Sequence, residues 1–92
     1  MSASNQQRKL PESQKTYTDL YAEPIKRNIR WDDVVALIEA LGGQVICNEG
    51  SRRRFDLNEV SLNIHSPHPH NEIKRYQVKA IREFLRLAGV KL

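Results

Sequence analysis

A two-residue connection between two strand-like runs constrains the fold of this 92-residue chain more than any other feature. Arg52 to Leu57 and Val60 to His65 both alternate apolar and polar residues, which is the period of a half-buried strand. The two residues between them have the length of a tight hairpin turn. Such a turn pairs the first residue of one run with the last residue of the other. Arg52 is therefore predicted to lie directly across from His65, about 5 Å away at Cβ.

Helical periodicity precedes this hairpin. Residues Trp31 to Leu41 place their apolar side chains on one face of a helix, and Gly42 and Gly43 provide a left-handed stop after it. The predicted apolar face consists of Trp31, Val34, Val35, Ile38 and Leu41. Gln44 to Asn48 then predicts a first strand, joined to the hairpin through a turn at 49–51.

A second helix is predicted after the hairpin, from about Lys74 to Leu87, with Gly89 as its stop. Its apolar stripe consists of Val78, Ile81, Leu85 and Ala88. Residues 66–72 between hairpin and helix are rich in proline and predict a loop.

The order helix, three strands, helix predicts a two-layer α+β domain of the α-β-β-β-α type. Both helices have apolar faces that can cover one face of the sheet, so the other face is expected to stay open. The predicted core consists of Trp31, Val34, Ile38, Phe55, Leu62, Ile64, Ile81 and Leu85.

The N-terminal residues are polar and are expected to lie outside this domain. Residues 1–15 predict a disordered tail, because they cannot bury enough apolar surface to offset chain entropy. Residues 16–28 form an extension that is either a short helix, from the spacing of Tyr17, Leu20 and Tyr21, or more of the tail. The domain itself is assigned to residues 29–92.

Charge is divided unevenly along the chain. Residues 1–50 hold six Lys or Arg and seven acids, whereas residues 51–92 hold nine and four. This asymmetry predicts a polyanionic partner for the C-terminal half, although a solvated basic surface would look the same. On the last helix, a basic stripe lies roughly 110° from the apolar one and is expected to remain in solvent. This stripe consists of Arg75, Lys79, Arg82 and Arg86.

Other sequence features favour a cytoplasmic protein. No apolar run reaches the roughly 20 residues that span a bilayer, and no signal-peptide pattern is present. The single cysteine, Cys47, lies among apolar residues and is expected to be a buried, inert thiol.

The open face is the candidate site. The hairpin pairing places Arg52, Arg54, Asn63 and His65 there together. Guanidinium groups bind phosphate bidentately, and imidazole moves protons near neutral pH, which are the two functions that RNA cleavage by a 2′-hydroxyl requires. Ordinary surface arginines beside a half-exposed histidine remain the alternative. A metal site is not predicted, because the spacing of His65, His68 and His70 is not a known zinc pattern.

Several segments, in order, resemble the HicA toxin family of bacterial toxin–antitoxin pairs. They are Asn28-Ile29-Arg30-Trp31 at the start of the first helix, Ala40-Leu41-Gly42 at its end, Glu49-Gly50-Ser51 before the Arg-rich strand and Phe55-Asp56-Leu57-Asn58 at the end of that strand. His65-Ser66-Pro67-His68-Pro69 is similar to a His-Arg-Pro-His-Pro stretch in one HicA-like subgroup. The ending from Val78 through Arg82-Glu83-Phe84-Leu85 to Ala88-Gly89-Val90 is similar to the family's final helix.

The resemblance implies a fold like that of double-stranded-RNA-binding domains, metal-independent cleavage of mRNA, no cofactor, and neutralisation by a HicB-type antitoxin. Better-known members carry Gly-Ser-His before the second strand, where this chain has Gly50-Ser51-Arg52. The candidate catalytic residues are therefore His65 and His68. The candidate RNA-binding residues are Arg52, Arg53, Arg54, Arg75, Lys79 and Arg82. The alternatives are a HicA-like domain that binds RNA without cutting it, and a protein-interaction domain that uses the basic stripe.

Overall fold

The computed structural model describes residues 12–68 and 70–92. Residues 1–11, which belong to the tail predicted over 1–15, and Pro69 lie outside these described residues. Residues 12–20 form a helix, α1. The other elements are α2 (Trp31–Ala40), β1 (Gln44–Cys47), β2 (Arg52–Leu57), β3 (Val60–His65) and α3 (Arg75–Leu87). The predicted α-β-β-β-α order is thus confirmed, and it is the arrangement of double-stranded-RNA-binding domains.

The three strands form one antiparallel sheet in the order β1-β2-β3. Arg52 pairs with His65 and Phe55 pairs with Leu62, as the two-residue turn predicted. Both turn residues, Asn58 and Glu59, have positive φ angles, 50° and 66°. Two-residue turns with positive φ at both positions have the twist that adjacent antiparallel strands need, and this fixes the register.

Helices α2 and α3 cover the same face of the sheet. α2 packs on β1 and α3 packs on β3. Trp31, Phe55 and Phe84 form a continuous aromatic row through the core, with ring centroids 5.3 Å and 6.1 Å apart. The predicted core residues are buried except Leu62, which is only partly buried because β3 is an edge strand. Leu37 was not predicted and is fully buried.

The glycine pair after α2 has two different roles. Gly42 has a φ of 91°, a left-handed conformation that ends the helix. Gly43 is close to the sheet: a Cβ there would lie 2.6 Å from the carbonyl oxygen of Asp56 and 2.9 Å from Ile38 Cγ2. A side chain at this position would therefore push the end of α2 away from the sheet.

The helix α1 includes residues 12–15, so the boundary expected at residue 16 falls inside a helix. Ser13, Thr16 and Leu20 repeat at helical spacing and are all buried. The hydroxyl of Tyr17 donates to the carbonyl of Val90 at 3.4 Å. This short amphipathic pattern gained its order from packing against the rest of the molecule, which local sequence alone does not reveal.

The surroundings of Cys47 differ from the expectation drawn from composition. Cys47 is exposed, so the prediction of a buried thiol is wrong. It is the last residue of β1, an edge strand, where a side chain has neighbours on fewer sides. Among the described residues, no helix has the length and apolar character needed to cross a membrane.

Candidate functional site

His65 ends β3, and its side chain is exposed at one end of the open face. Arg52, also exposed, is its direct partner on β2. The Oγ atom of Ser51 lies 3.3 Å from Nδ1 of His65, within hydrogen-bonding distance. The pairing continues one residue further, because the backbone N–H of Ser66 donates to the carbonyl of Ser51 at 2.8 Å. The imidazole is thereby held beside the start of β2.

The backbone of His65 is anchored by Gln77, a buried side chain of α3. Its Nε2 donates to the carbonyl of His65 at 2.8 Å, and its Oε1 accepts from the backbone N–H of Lys74 at 2.9 Å. Gln77 is only 2% exposed. Since a buried amide must satisfy its polar atoms, this bridge joins the end of β3 to the start of α3 in one arrangement.

The three consecutive arginines of β2 differ in their surroundings. Within the described part of the chain, Arg52 forms no ion pair. The side chain of Arg53 lies on the helix-covered side of the sheet, and its guanidinium donates to the carbonyls of Gly50 and Arg52, both at 2.9 Å. Arg54 lies on the open face and pairs with Asp56 at 3.0 Å. Arg52 therefore has the guanidinium best placed to bind an anion beside His65.

Asp56 is itself stabilised as a carboxylate. The hydroxyl of Ser61 donates to Asp56 Oδ1 at 2.7 Å, and Arg54 donates to both of its oxygens. These hydrogen bonds hold the pKa of Asp56 below its ordinary value, and the one from Ser61 has the largest effect. The pair partly neutralises the middle of the open face and leaves net positive charge at the end that carries Arg52.

The basic stripe of α3 was expected to remain in solvent, and this is wrong for Arg82. Its guanidinium donates to the carbonyls of Leu20 and Ala22 and pairs with Glu23 at 2.7 Å. Its side chain is 19% exposed. Arg86 is exposed but pairs with Glu83 at 2.5 Å. We refer to Arg82 and Arg86 together as the α3 flank.

Arg75 and Lys79, at the other end of the stripe, are exposed and form no ion pair with any residue the structure describes. His68 and Asn63 are exposed as well. Within residues 12–68 and 70–92, no group of three His, Cys, Asp or Glu side chains is arranged to hold a metal ion.

Two residues of this site were missed by sequence reasoning. Ser51 could have been found, because the hairpin register that pairs Arg52 with His65 also brings its neighbour Ser51 to the imidazole. Gln77 gave a weaker signal, a polar residue next to Val78 on a helix whose apolar stripe faces the sheet. A buried polar side chain of this kind has to find partners, but the sequence does not say which.

A family comparison decides where the chain belongs. Residues 31–90 match the model of the HicA toxin of bacterial toxin–antitoxin systems. The chain belongs to the HicA toxin family. The match spans α2 to the end of α3, so it includes Ser51, Arg52, His65 and Gln77 but not α1 and the residues up to 30. Searches among curated proteins and among solved structures returned no match.

Proposed function

We propose that this protein is a HicA-type toxin that binds mRNA on the open face of its sheet and cleaves it with His65. The observation that supports this most is the pairing of exposed Arg52 with exposed His65, with Ser51 Oγ 3.3 Å from His65 Nδ1, in a chain of the HicA family. This arrangement combines a proton-transferring group with a permanent cation. The protein would act in the cytoplasm and be neutralised there by a HicB-type antitoxin.

The chemistry assigned to His65 is general base catalysis without a metal. In one tautomer, Nδ1–H donates to Ser51 Oγ, and Nε2 is left to accept the proton of the 2′-hydroxyl. The 2′-oxygen then bonds to phosphorus while the bond to the 5′-oxygen breaks. The products are a 2′,3′-cyclic phosphate and a 5′-hydroxyl, whose proton comes from a general acid.

The general acid and the phosphate ligands are assigned to neighbouring residues. His68 is the candidate acid, because it is exposed in the loop that leaves β3. Arg52 cannot transfer the proton, since a guanidinium stays protonated at physiological pH, but it can stabilise the charge that develops on the phosphate. Arg54, Arg75 and Lys79 would bind further phosphates. We leave Arg53 and Arg82 out of this surface because the structure engages both with backbone carbonyls.

RNA binding without cleavage is the second candidate function. It is favoured by Arg52, which stands where better-known members of the family carry the histidine of Gly-Ser-His. A protein-interaction role for the basic stripe has less support, because Arg82 and Arg86 already pair with acids of this chain.

The test is induced expression of the wild type and of His65→Ala, followed by growth and total mRNA integrity. We expect the wild type to arrest growth and fragment mRNA, and His65→Ala to lose about 10²–10⁴-fold in cleavage rate in vitro. His70→Ala is the matched control, a substitution of an exposed histidine beyond the strand end. Arrest that persists in correctly folded His65→Ala would contradict the assignment. Intact mRNA with the wild type, together with RNA binding, would establish the second candidate.

The same growth assay tests whether a HicB-type antitoxin neutralises this protein. Co-expression of a HicB-type protein encoded next to this chain should restore growth of cells that express the wild type. An adjacent protein that binds the toxin but leaves both arrest and mRNA fragmentation unchanged would contradict the antitoxin proposal.

A further inference from the structure

A concave, positively charged surface lies outside the open face. Residues 25–28, which precede α2, and residues 72–75, which lead into α3, form the two walls of a cleft of about 380 Å³. We call it the basic cleft. It falls within the size range of small-ligand sites. Residues 25–28 precede the segment that matches the family model, so this wall is contributed by the chain's N-terminal extension.

The two walls are held together by backbone hydrogen bonds. The N–H of Ile73 donates to the carbonyl of Ile29 at 2.8 Å, and the N–H of Trp31 donates to the carbonyl of Asn71 at 3.0 Å. Asn28 turns the chain with a φ of 68°, a left-handed conformation that asparagine tolerates better than most residues. The cleft is therefore preformed rather than dependent on a ligand.

Four cations and one carboxylate line the basic cleft. Lys26 pairs with Asp19 at 3.2 Å. Arg27, Lys74 and Arg75 are exposed and form no ion pair with a described residue, even though Glu72 belongs to the same lining. Three cations beside one carboxylate leave the cleft with an excess of positive charge, and a bound anion would relieve the repulsion among them.

The basic cleft is connected to the candidate site through one side chain. Gln77 accepts from the backbone of Lys74, in the cleft wall, and donates to the backbone of His65, at the end of β3. A single buried amide thus separates the two backbones. An RNA strand with one phosphate at Arg52 and His65 would carry further phosphates on both sides, and the basic cleft is the cationic surface that Gln77 joins to this site.

We propose that the basic cleft binds a backbone phosphate of the RNA strand, on one side of the phosphate that is cleaved. This proposal rests on the proposed function, because it assumes that RNA lies across the open face. Phosphate contacts of this kind position a strand and carry no sequence preference. The N-terminal extension would then lengthen the RNA-binding surface beyond the HicA domain.

The test compares two variants of equal charge in a His65→Ala background, which keeps the RNA uncut. Arg27→Gln with Lys74→Gln removes two cations of the cleft, and Arg86→Gln with Lys91→Gln removes two exposed cations elsewhere. Binding of a labelled single-stranded RNA is measured by fluorescence anisotropy over a range of salt concentrations. Thermal unfolding confirms that each variant is folded.

We expect the cleft variant to weaken binding of all RNA sequences equally and to lower the slope of log K against log salt by about 0.7, the value for one neutralised phosphate of a single strand. The control variant should weaken binding much less. Equal weakening in both variants would reduce the effect to overall charge and overturn the proposal. A labelled oligoglutamate peptide whose binding alone requires Arg27 and Lys74 would overturn it in favour of an acidic protein.

Failure of the cleft and failure of the proposed function give different results. If the cleft variant binds RNA normally while Arg52→Gln weakens binding, the cleft proposal is wrong and the open face stands. If RNA binding depends on the cleft but the wild type never cuts RNA, the cleft stands and the cleavage function is wrong. If the wild type binds no RNA, both are wrong.

Discussion

The open face of the sheet and the α3 flank carry the same kinds of charged residue in different states. On the open face, Arg52 is exposed next to His65 and free of ion pairs within the described chain. On the α3 flank, Arg82 is mostly buried and donates to two carbonyls and a carboxylate. In the sequence, both residues are simply arginines in a basic C-terminal half.

The difference lies in the hydrogen-bond partners that each guanidinium gains when the chain folds. Arg82 joins α3 to the residues that follow α1, and its stacking near Tyr21, 5.8 Å from the ring centroid, adds to that contact. Its hydrogen-bonding capacity is used to hold the N-terminal extension. Arg52 has no such task, so its capacity remains for a ligand. A cation that folding leaves unpaired is the one whose hydrogen-bond donors are most available to a ligand.

Among the variants that test this difference between the open face and the α3 flank, Arg52→Gln is expected to have the largest effect. Loss of the guanidinium beside His65 should lower the rate of RNA cleavage by about 10²–10³, the usual effect of removing one group that stabilises a transition-state charge. The melting temperature should not change, because the side chain is exposed. Single-turnover cleavage and thermal unfolding of the purified variant measure both. Undiminished cleavage would place the phosphate elsewhere.

Arg82→Gln should show the opposite pattern. Its charged hydrogen bonds to the carbonyls of Leu20 and Ala22 are partly buried, so their loss should lower the free energy of unfolding by about 1.5–3 kcal/mol. The salt dependence of RNA binding should be unchanged. Arg86→Gln, with an exposed ion pair, is the control. A reduced salt slope in Arg82→Gln would mean that Arg82 leaves its internal partners to bind RNA.

Glu23→Gln separates the two kinds of partner that Arg82 has. Glu23 is 72% exposed, and exposed ion pairs contribute only about 0.2–1 kcal/mol. The carbonyls of Leu20 and Ala22 remain as acceptors in this variant. Denaturant unfolding should therefore show a much smaller loss than for Arg82→Gln. Equal losses would mean that the carboxylate, rather than the backbone, holds the arginine.

The smallest effect is expected from Asp56→Asn, and it depends on pH. The folded chain holds the pKa of Asp56 below its ordinary value of 3.8, mainly through Ser61 and then Arg54. The carboxylate therefore stabilises the fold above that value, and its contribution is lost as the pH falls through the lowered pKa. The difference in stability between wild type and variant should be present at neutral pH and should disappear in acid. A difference that persists at low pH would have another origin than charge.

Much of the domain could be predicted from the sequence because its signals are local. The apolar face of α2, the alternation in β2 and β3 and the two-residue turn depend on residues a few positions apart, and together they fixed the pairing of Arg52 with His65. Where burial depended on position in the finished sheet, prediction failed. Leu62 and Cys47 are apolar or weakly polar residues of edge strands, and both are more exposed than expected.

By itself, the sequence determined the order of the elements, the hairpin register, the family and the identity of the candidate histidine. Only the tertiary structure decided which cations are free, how Gln77 joins His65 to α3, and that α1 is anchored to the domain. These are contacts between residues up to 73 positions apart, such as that of Tyr17 with Val90. Periodicity describes which face a side chain occupies, but the partner it meets there depends on how separate elements pack.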